Sequence, residues 1–502
     1  MPLPADNAPW PPIAPQVRQA LGDWSAWYSG DPDRLAEQYL YRTPRGVRTY
    51  QNRPSQFRGG ITGVLARWWW GQPTPLGERR TKLHIPLAGD IARASSDLLF
   101  SEPPKISLEG AAAQERIDDL VQNGLRATLL EAGELCSALG GIYLRIVWDQ
   151  TVRPRPWLNP VSADDAVPEF RYGVLTAVTF WTVISADGQR VVRHLERHEP
   201  GAILHGVYEG TIDSLGKAKP LATYPDTADL DPVVATGTPI LTAAYVPNMR
   251  PARNWRDIPT AASWGVSDYQ GIEGLMDQLD ETWSSWMRDI RLAKGRILVP
   301  GQYLTSNGPG HGASFDEDRE AYAELNIPPT SDNGLTLNQF AIRHAEHKAT
   351  TDALVEQAIR MAGYSTATFG EPDGSALTAT EVRARQARTL TTRGRKTEYW
   401  TPGLADAIEA LLAVEAAQFG SGVPAERPTV EWQDSISESP LDLANTALAL
   451  DQAHAASTDT RVRLVHPDWD DQRVAAEVAG ILAENGMAVT DPAALGAGGA
   501  GL

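Results

Sequence analysis

Cysteine is almost missing from this chain: Cys136 is the one thiol in 502 residues. That excludes an intramolecular disulfide framework and suits a reducing cytosol. The opening MPLPADNAPWPPIAP is not a basic-then-apolar leader, and no run of eighteen apolar residues occurs anywhere. The expectation is a chain neither exported by a signal peptide nor inserted in a membrane. Portable catalytic signatures are missing too. Gly210 to Lys217 has the wrong spacing for a phosphate loop, and Ala218 offers no hydroxyl for magnesium. The Gly-rich stretch Ser306 to Ser314 has no Lys-Ser/Thr ending and reads as a flexible turn. No Gly-x-Ser-x-Gly elbow occurs, and Pro200 follows His198-Glu199 where a zinc-protease helix would have to continue. His344 and His347 could share a helical face, but no third ligand lies within reach by sequence, so they read as structural. Nothing points to a hydrolytic or redox centre, a metal or a cofactor.

Positive charge is also in short supply, with 45 basic residues against 63 acidic ones and a net charge of −18. This argues against a broad basic face that grips nucleic acid, although not against a protein that lets DNA pass without holding it. The shortage is local. From Ser421 to Leu502 there are four arginines, no lysine and thirteen acids, whereas Thr378 to Trp400 carries six basic residues against Glu381 and Glu398. Such segregation suggests faces meant for different neighbours.

What is present is a soluble globular composition, 42% hydrophobic and 22% charged, long enough for about three domains. One stretch organises it: SDYQGIEGLMDQLDETWSSWMRDIRLAK, Ser267 to Lys294. Ile272, Leu275, Met276, Leu279, Trp283, Trp286, Met287 and Ile290 recur at three- and four-residue steps and form one stripe on a helix. Ser267 can cap it, and acids early with bases late complement the macrodipole. A second helix is expected over Ile342 to Ala362, antiparallel to the first, with a small domain, Gly295 to Ala341, at their shared tip.

Around this pair the chain alternates. Helical patterns cover Val17 to Tyr28, Pro32 to Tyr41 with Asp31 as cap, Ile85 to Leu99, and Gln114 to Leu139 ended by Gly140 and Gly141. Strands are expected at Lys105 to Leu108, Ile142 to Asp149, Val174 to Ile184, Val191 to His198, Ile203 to Tyr208, Ile240 to Val246 and Thr429 to Gln433. Trp68 to Trp70 read as core or seam residues. Gly363 to Leu377 holds Gly363, Gly370, Pro372 and Gly374 and should be irregular. Thr378-Ala-Thr-Glu381 is a capping box that starts a long helix to about Phe419, which Gly394 and Thr401-Pro402-Gly403 should bend. Leu441 to Ala456 and Asp468 to Asn485 read as amphipathic helices before a disordered end. The fold class is α+β.

Six strings in this order carry a resemblance: LHIPLAGDIARASSDLLFSEPPKI, GGIYLRIVWD, VPEFRYG, LERHEPGAILHGVYEGT, SDYQGIEGLMDQLDETWSSWMRDIRLAKGRILVP and LTATEVRARQARTLTTRGRKTEYW. The chain resembles the portal proteins of tailed bacteriophages, in the branch typical of siphophages of actinobacterial and other Gram-positive hosts. The resemblance implies a portal fold assembled as a ring, twelve subunits in virions of that family, at one capsid vertex. It implies residues 1–57 as the N-terminal helical segment of a wing, 58–266 as the wing, 267–294 and 342–363 as two stem helices, and 295–341 as a small α/β clip. It further implies 364–377 as a tunnel loop, 378–440 as the kinked helix and returning strand of the wing, and 441–502 as an α-helical crown with a disordered tail. Implied partners are double-stranded DNA in the channel, the large terminase subunit, a head-tail adaptor, and major capsid and scaffolding proteins, with no membrane and no catalytic residue. Thr366, Thr368, Phe369, Glu371, Asp373 and Ser375 would line the bore. Trp283, Trp286, Arg383, Arg385, Arg388, Arg393, Arg395 and Lys396 would face a neighbouring subunit, the basic ones paired with its acids.

Overall fold

The computed structural model describes residues 3–35, 83–292, 296–298, 305–306, 313–314, 336–338, 342–370, 379–432, 440–466, 469 and 471–484. Trp68 to Trp70, Glu371, Asp373, Ser375 and most of 295–341 lie outside them. Two compact units result, one of Met1–Phe369 with Thr389–Trp432 and one of Gly370–Arg388 with Gln433–Leu502.

In the first unit, α1 (Pro15–Ser29), α2 (Leu87–Phe100), β1 (Lys105–Ser107), α3 (Ala111–Gln122) and α4 (Leu125–Leu139) come first. The single helix expected over 114–139 is two, because Gly124 sits at φ +100° and a left-handed residue cannot continue an α-helix. Gly140, at φ +82°, ends α4 as its position suggested. Then follow β2 (Gly141–Val147), β3 (Trp157–Ser162), β4 (Ala166–Arg171), β5 (Val174–Asp187), β6 (Arg190–Glu199), β7 (Ala202–Thr211), β8 (Ser214–Lys219), β9 (Val233–Ala235) and β10 (Ala243–Pro247). A three-stranded sheet runs β10-β2-β3, and a six-stranded meander runs β4-β5-β6-β7-β8 with β9 beside β7. Sequence periodicity found β2, β5, β6, β7 and β10. It missed β3, β4, β8 and β9, which are short or proline-interrupted and owe their pairing to the neighbouring strands. Gly210 and Gly216 serve this meander. A Cβ on Gly210 would lie 2.3 Å from the Ser214 carbonyl oxygen, and one on Gly216 would lie 2.1 Å from that of Glu209. Their role is a close strand approach.

After β10 comes α5 (Glu273–Leu292), which leads into β11 (Arg296–Leu298), a small antiparallel pair β12 (Thr305–Ser306) and β13 (Ala313–Ser314), β14 (Thr336–Asn338) and α6 (His344–Ala362). β11 pairs antiparallel with β14. Near them Trp286 of α5 stacks on His347 of α6 at 5.9 Å, and Asp289 accepts from Arg343 at 2.9 Å. At the other end Met276 and Leu279 share a buried cluster with Ala358 and Ile359. The two helices are therefore antiparallel, out and back.

The stripe on α5 is not uniformly covered. Ile272, Met276 and Leu279 are buried, Trp283, Trp286 and Met287 half-buried, and Ile290 exposed. The helix also begins six residues later than the periodicity predicts, because Gly271 stands at φ +87° and Asp268 is held elsewhere.

Returning, α7 (Ala379–Gln418) is a 40-residue helix that continues through Pro402. Thr401-Pro402-Gly403, where a bend is expected, lies inside this one continuous helix. A Cβ on Gly403 would lie 2.5 Å from Cγ2 of Val246, so the glycine admits β10 against the helix. Trp400, Leu404, Ile408, Leu411 and Val414 form the main core with Ile142, Leu144, Ile117 and Leu129. β15 (Thr429–Glu431) pairs with β1 across more than three hundred residues of chain, Ile106 opposite Val430.

In the second unit, α8 (Pro440–Gln452), α9 (Thr458–Val465) and α10 (Asp471–Glu484) follow one another. Ser457 caps α9, accepting from Thr460 N–H at 3.2 Å, and Arg463 bridges to Asp471 at 2.7 Å. The eight-residue α9 is too short for its period to show in the sequence.

Candidate functional site

The segment that turns from α6 towards α7 starts with Gly363 at φ +96°, the left-handed close of α6. Tyr364 follows, 1% exposed, and Thr366–Phe369 form a short 3-10 turn where an irregular loop was expected. Hydroxyls of α7 hold the segment. Thr392 donates to the Gly363 carbonyl at 2.6 Å, and Thr389 accepts the Ser365 N–H at 2.9 Å.

Beneath it lies a buried ion pair. Lys396 of α7 bonds to Asp268, each side chain 2% exposed. Lys396 also donates to Ser95 of α2 and, at 3.1 Å, to the Tyr364 hydroxyl. Asp268 accepts from Ser137 of α4 at 2.6 Å, from Tyr364 at 2.6 Å and from Asn248 at 2.8 Å. Burial alone would raise the Asp268 pKa. The Lys396 charge, with donated hydrogen bonds from Lys396, Ser137 and Tyr364, instead holds it below the ordinary carboxylate value. Burial, then the neighbouring Asp268 carboxylate, pushes the Tyr364 phenol well above its usual range. The cluster thus ties the chain just before α5 and just after α6 to α2, α4 and α7, with every charged atom given a partner. It can position; it has no open face for a substrate.

Next to it, His84 contacts Asp280 of α5 at 2.9 Å, Ile85 N–H donates to the same carboxylate at 2.9 Å, and Leu83 N–H donates to Ser284 at 2.9 Å. Residues 83–85 are thereby stapled to α5.

The residues singled out from sequence fall as follows. Thr368 bonds Thr389 at 2.8 Å, and Phe369 packs edge-on against Tyr364 at 6.3 Å. Both are half-buried against their own chain, and the Thr368 hydroxyl bonds to α7. Thr366 is half-buried in the same turn. Trp283 and Trp286 stack on one another at 5.0 Å along α5. Of the basic run, Arg388 and Arg395 are exposed, and Arg395 reaches the Arg250 carbonyl at 3.4 Å. Arg383 and Arg385 lie on the helical backbone of α7. Arg393 is largely buried and donates to the Leu98 carbonyl at 2.7 Å. Lys396 corrects the expectation of a neighbouring-subunit partner: its acid, Asp268, is in the same chain. Sequence could not mark Asp268, because an acid ahead of a helix reads as a macrodipole partner. Nor could it mark Tyr364, Ser95 or Ser137, which carry no pattern.

His344 and His347 do not converge on a ligand set; His347 contacts Asp289 at 3.0 Å. Among the described residues no group of three or more His, Cys, Asp or Glu is arranged to hold a metal, and no helix is long and apolar enough to cross a membrane.

A chain from the neck of a native GTA particle computed with C12 symmetry is similar in structure. Its TM-score is 0.44 at 13% identity, over 81% of this chain and 99% of that one. No curated protein sequence matches. Residues 246–491, from β10 through the paired helices and the long α7 to the end of α10, match the family described as phage portal protein, SPP1 Gp6-like. This chain belongs to that family of phage portal proteins.

Proposed function

We propose that copies of this chain form a ring of about twelve at one capsid vertex, whose bore admits DNA during packaging and releases it at infection. The portal role is that of the family. The ring, its copy number and its traffic in DNA are our reading. The observation that carries it is the out-and-back pair α5 and α6. Its roots are buried around Asp268, Lys396 and Ile359, while Trp286 and Ile290 stay partly open. An apolar stripe buried at one end and uncovered at the other asks for a neighbour. In a closed ring that neighbour is the next copy.

In this reading 267–294 and 342–363 are the stem, 295–341 the clip, 58–266 with 378–440 the wing and 441–502 the crown. The clip docks the terminase motor and then the head-tail adaptor, and the outer surface meets capsid and scaffolding proteins. DNA that must slide needs weak contacts, because each lysine or arginine bound to phosphate releases counterions and adds affinity. A net charge of −18, with Glu371 and Asp373 in the 364–377 segment, suits a wall that repels phosphate. No enzymatic step is assigned.

Mass photometry and negative-stain imaging of the full chain test this. End-on rings near twelve protomers are expected. Compact monomers that stay monomeric both alone and with procapsid components would overturn it.

A further inference from the structure

We propose that the β4–β5 turn is a knob that docks in a cavity on the adjacent copy of this chain, an inference that rests on the ring reading above. The turn is two residues long, Arg171 pairing with Val174 across Tyr172 and Gly173. Tyr172 stands at φ 52° and Gly173 at φ 84°. Asn or Gly takes such a position cheaply and tyrosine does not, so turn formation does not account for the residue. Nor does packing, since Tyr172 is 94% exposed and Val174 66%. The Arg171 guanidinium lies over the Tyr172 ring at 5.7 Å. A protruding tyrosine and arginine, side by side, is the composition of interface anchors.

The second observation is concave. A cavity of about 320 Å3 opens between β1, α3 and the start of α4. Ile117, Leu125 and Leu129 give it apolar walls, and Asp118, Lys105 and Arg126 add charge to its lining. A phenol ring fits a space of this size. Asp118 complements Arg171, while Lys105 or Arg126 can donate to the phenol oxygen. The exposure of Tyr172 shows that the turn does not fill this cavity in its own chain. A cyclic assembly joins unlike surfaces of identical copies, and a convex tip with a matching hollow elsewhere on the same chain meets that requirement.

Full-length chain carrying Tyr172→Cys and, in the lining of the cavity, Val121→Cys is assembled and mildly oxidised; Cys136 stays in place, since it is 1% exposed. A ladder of covalent multimers on a non-reducing gel is expected, absent from each single variant. Tyr172→Ser should raise the protomer concentration at half-assembly at least tenfold, Tyr172→Phe less. Arg171→Glu should weaken assembly, and adding Asp118→Arg should restore it. Rings without a ladder, or Tyr172→Ser assembling like the native chain, overturn this contact and leave the portal reading standing. A native chain that forms no ring either alone or with procapsid components removes both.

Discussion

Lys396 and Asp268, 128 residues apart, form a buried ion pair at the point where the chain enters α5 and leaves α6. Three neutral donors, Ser137, Asn248 and Tyr364, complete the aspartate. Removing one charge of such a pair strands the other, which costs about 3–5 kcal/mol, whereas removing both can be close to neutral. Lys396→Ala is therefore expected to lower the melting temperature sharply. Lys396→Met combined with Asp268→Asn should recover much of the loss. Equal melting of the single variant and the native chain would show that the pair does not hold the helix roots.

Acid should unfold this protein in two stages. Burial, with the His205 charge adding to it, lowers the His194 pKa below 6.5, and burial lowers that of His205. Groups with depressed folded values bind protons more readily unfolded, so their share of stability is complete above about pH 6.5 and declines below it. Glu196 acts lower down. Burial opposes its ionisation, but the hydrogen bond and charge of His198, then Arg145, bring its pKa to about 2 from 4.5. Its contribution is held above pH 4.5 and lost towards pH 2. Melting curves from pH 8 to 3 should show both declines. A His194→Gln, His205→Gln variant should lose the first and keep the second.

Glu415, fully buried in α7, accepts from Arg116 at 2.6 Å and from Arg155 at 2.6 Å. Arg116 is itself 3% exposed. Glu415→Ala takes the buried carboxylate from Arg116, which keeps only the part-exposed Asp119 carboxylate and the Pro156 carbonyl, so a loss of about 3 kcal/mol, the low end for a broken buried pair, is expected. Chemical denaturation should show it, accompanied by faster amide exchange in α3 and α7. Glu409→Ala, whose partner Arg427 is half exposed, should cost under about 1 kcal/mol.

Trp286 stacks nearly parallel to His347, at 7° between planes. An aromatic contact of this kind contributes about 0.5–1.5 kcal/mol beyond buried area. Trp286→Ala should speed amide exchange over 344–351 while leaving the core around Trp400 protected. If copies also meet along this stripe, the same change should reduce ring yield.

The charge argument for the bore has its own test. Glu371→Lys with Asp373→Lys should impair DNA filling of capsids and leave ring assembly intact. Normal filling would remove the account of 364–377 as part of a wall that repels phosphate.

Several features were legible in the sequence because local chemistry determines them. The heptad-like stripe of α5, Gly140 and Gly363 as helix closers, and the alternation in β2, β5, β6 and β7 all rest on periodicity or on a left-handed backbone. The order of elements was legible as well, and with it the family. Tertiary structure alone decided which distant residues meet. That Lys396 serves Asp268 in its own chain, that β15 returns to β1, that Gly403 is a landing place for β10, and that Asp268 draws the start of α5 six residues downstream all depend on contacts across a hundred or more residues. A carboxylate carries no mark in the sequence for the cation that will neutralise it. Only the cost of burying it alone makes that choice, and this cost exists only once the core has closed.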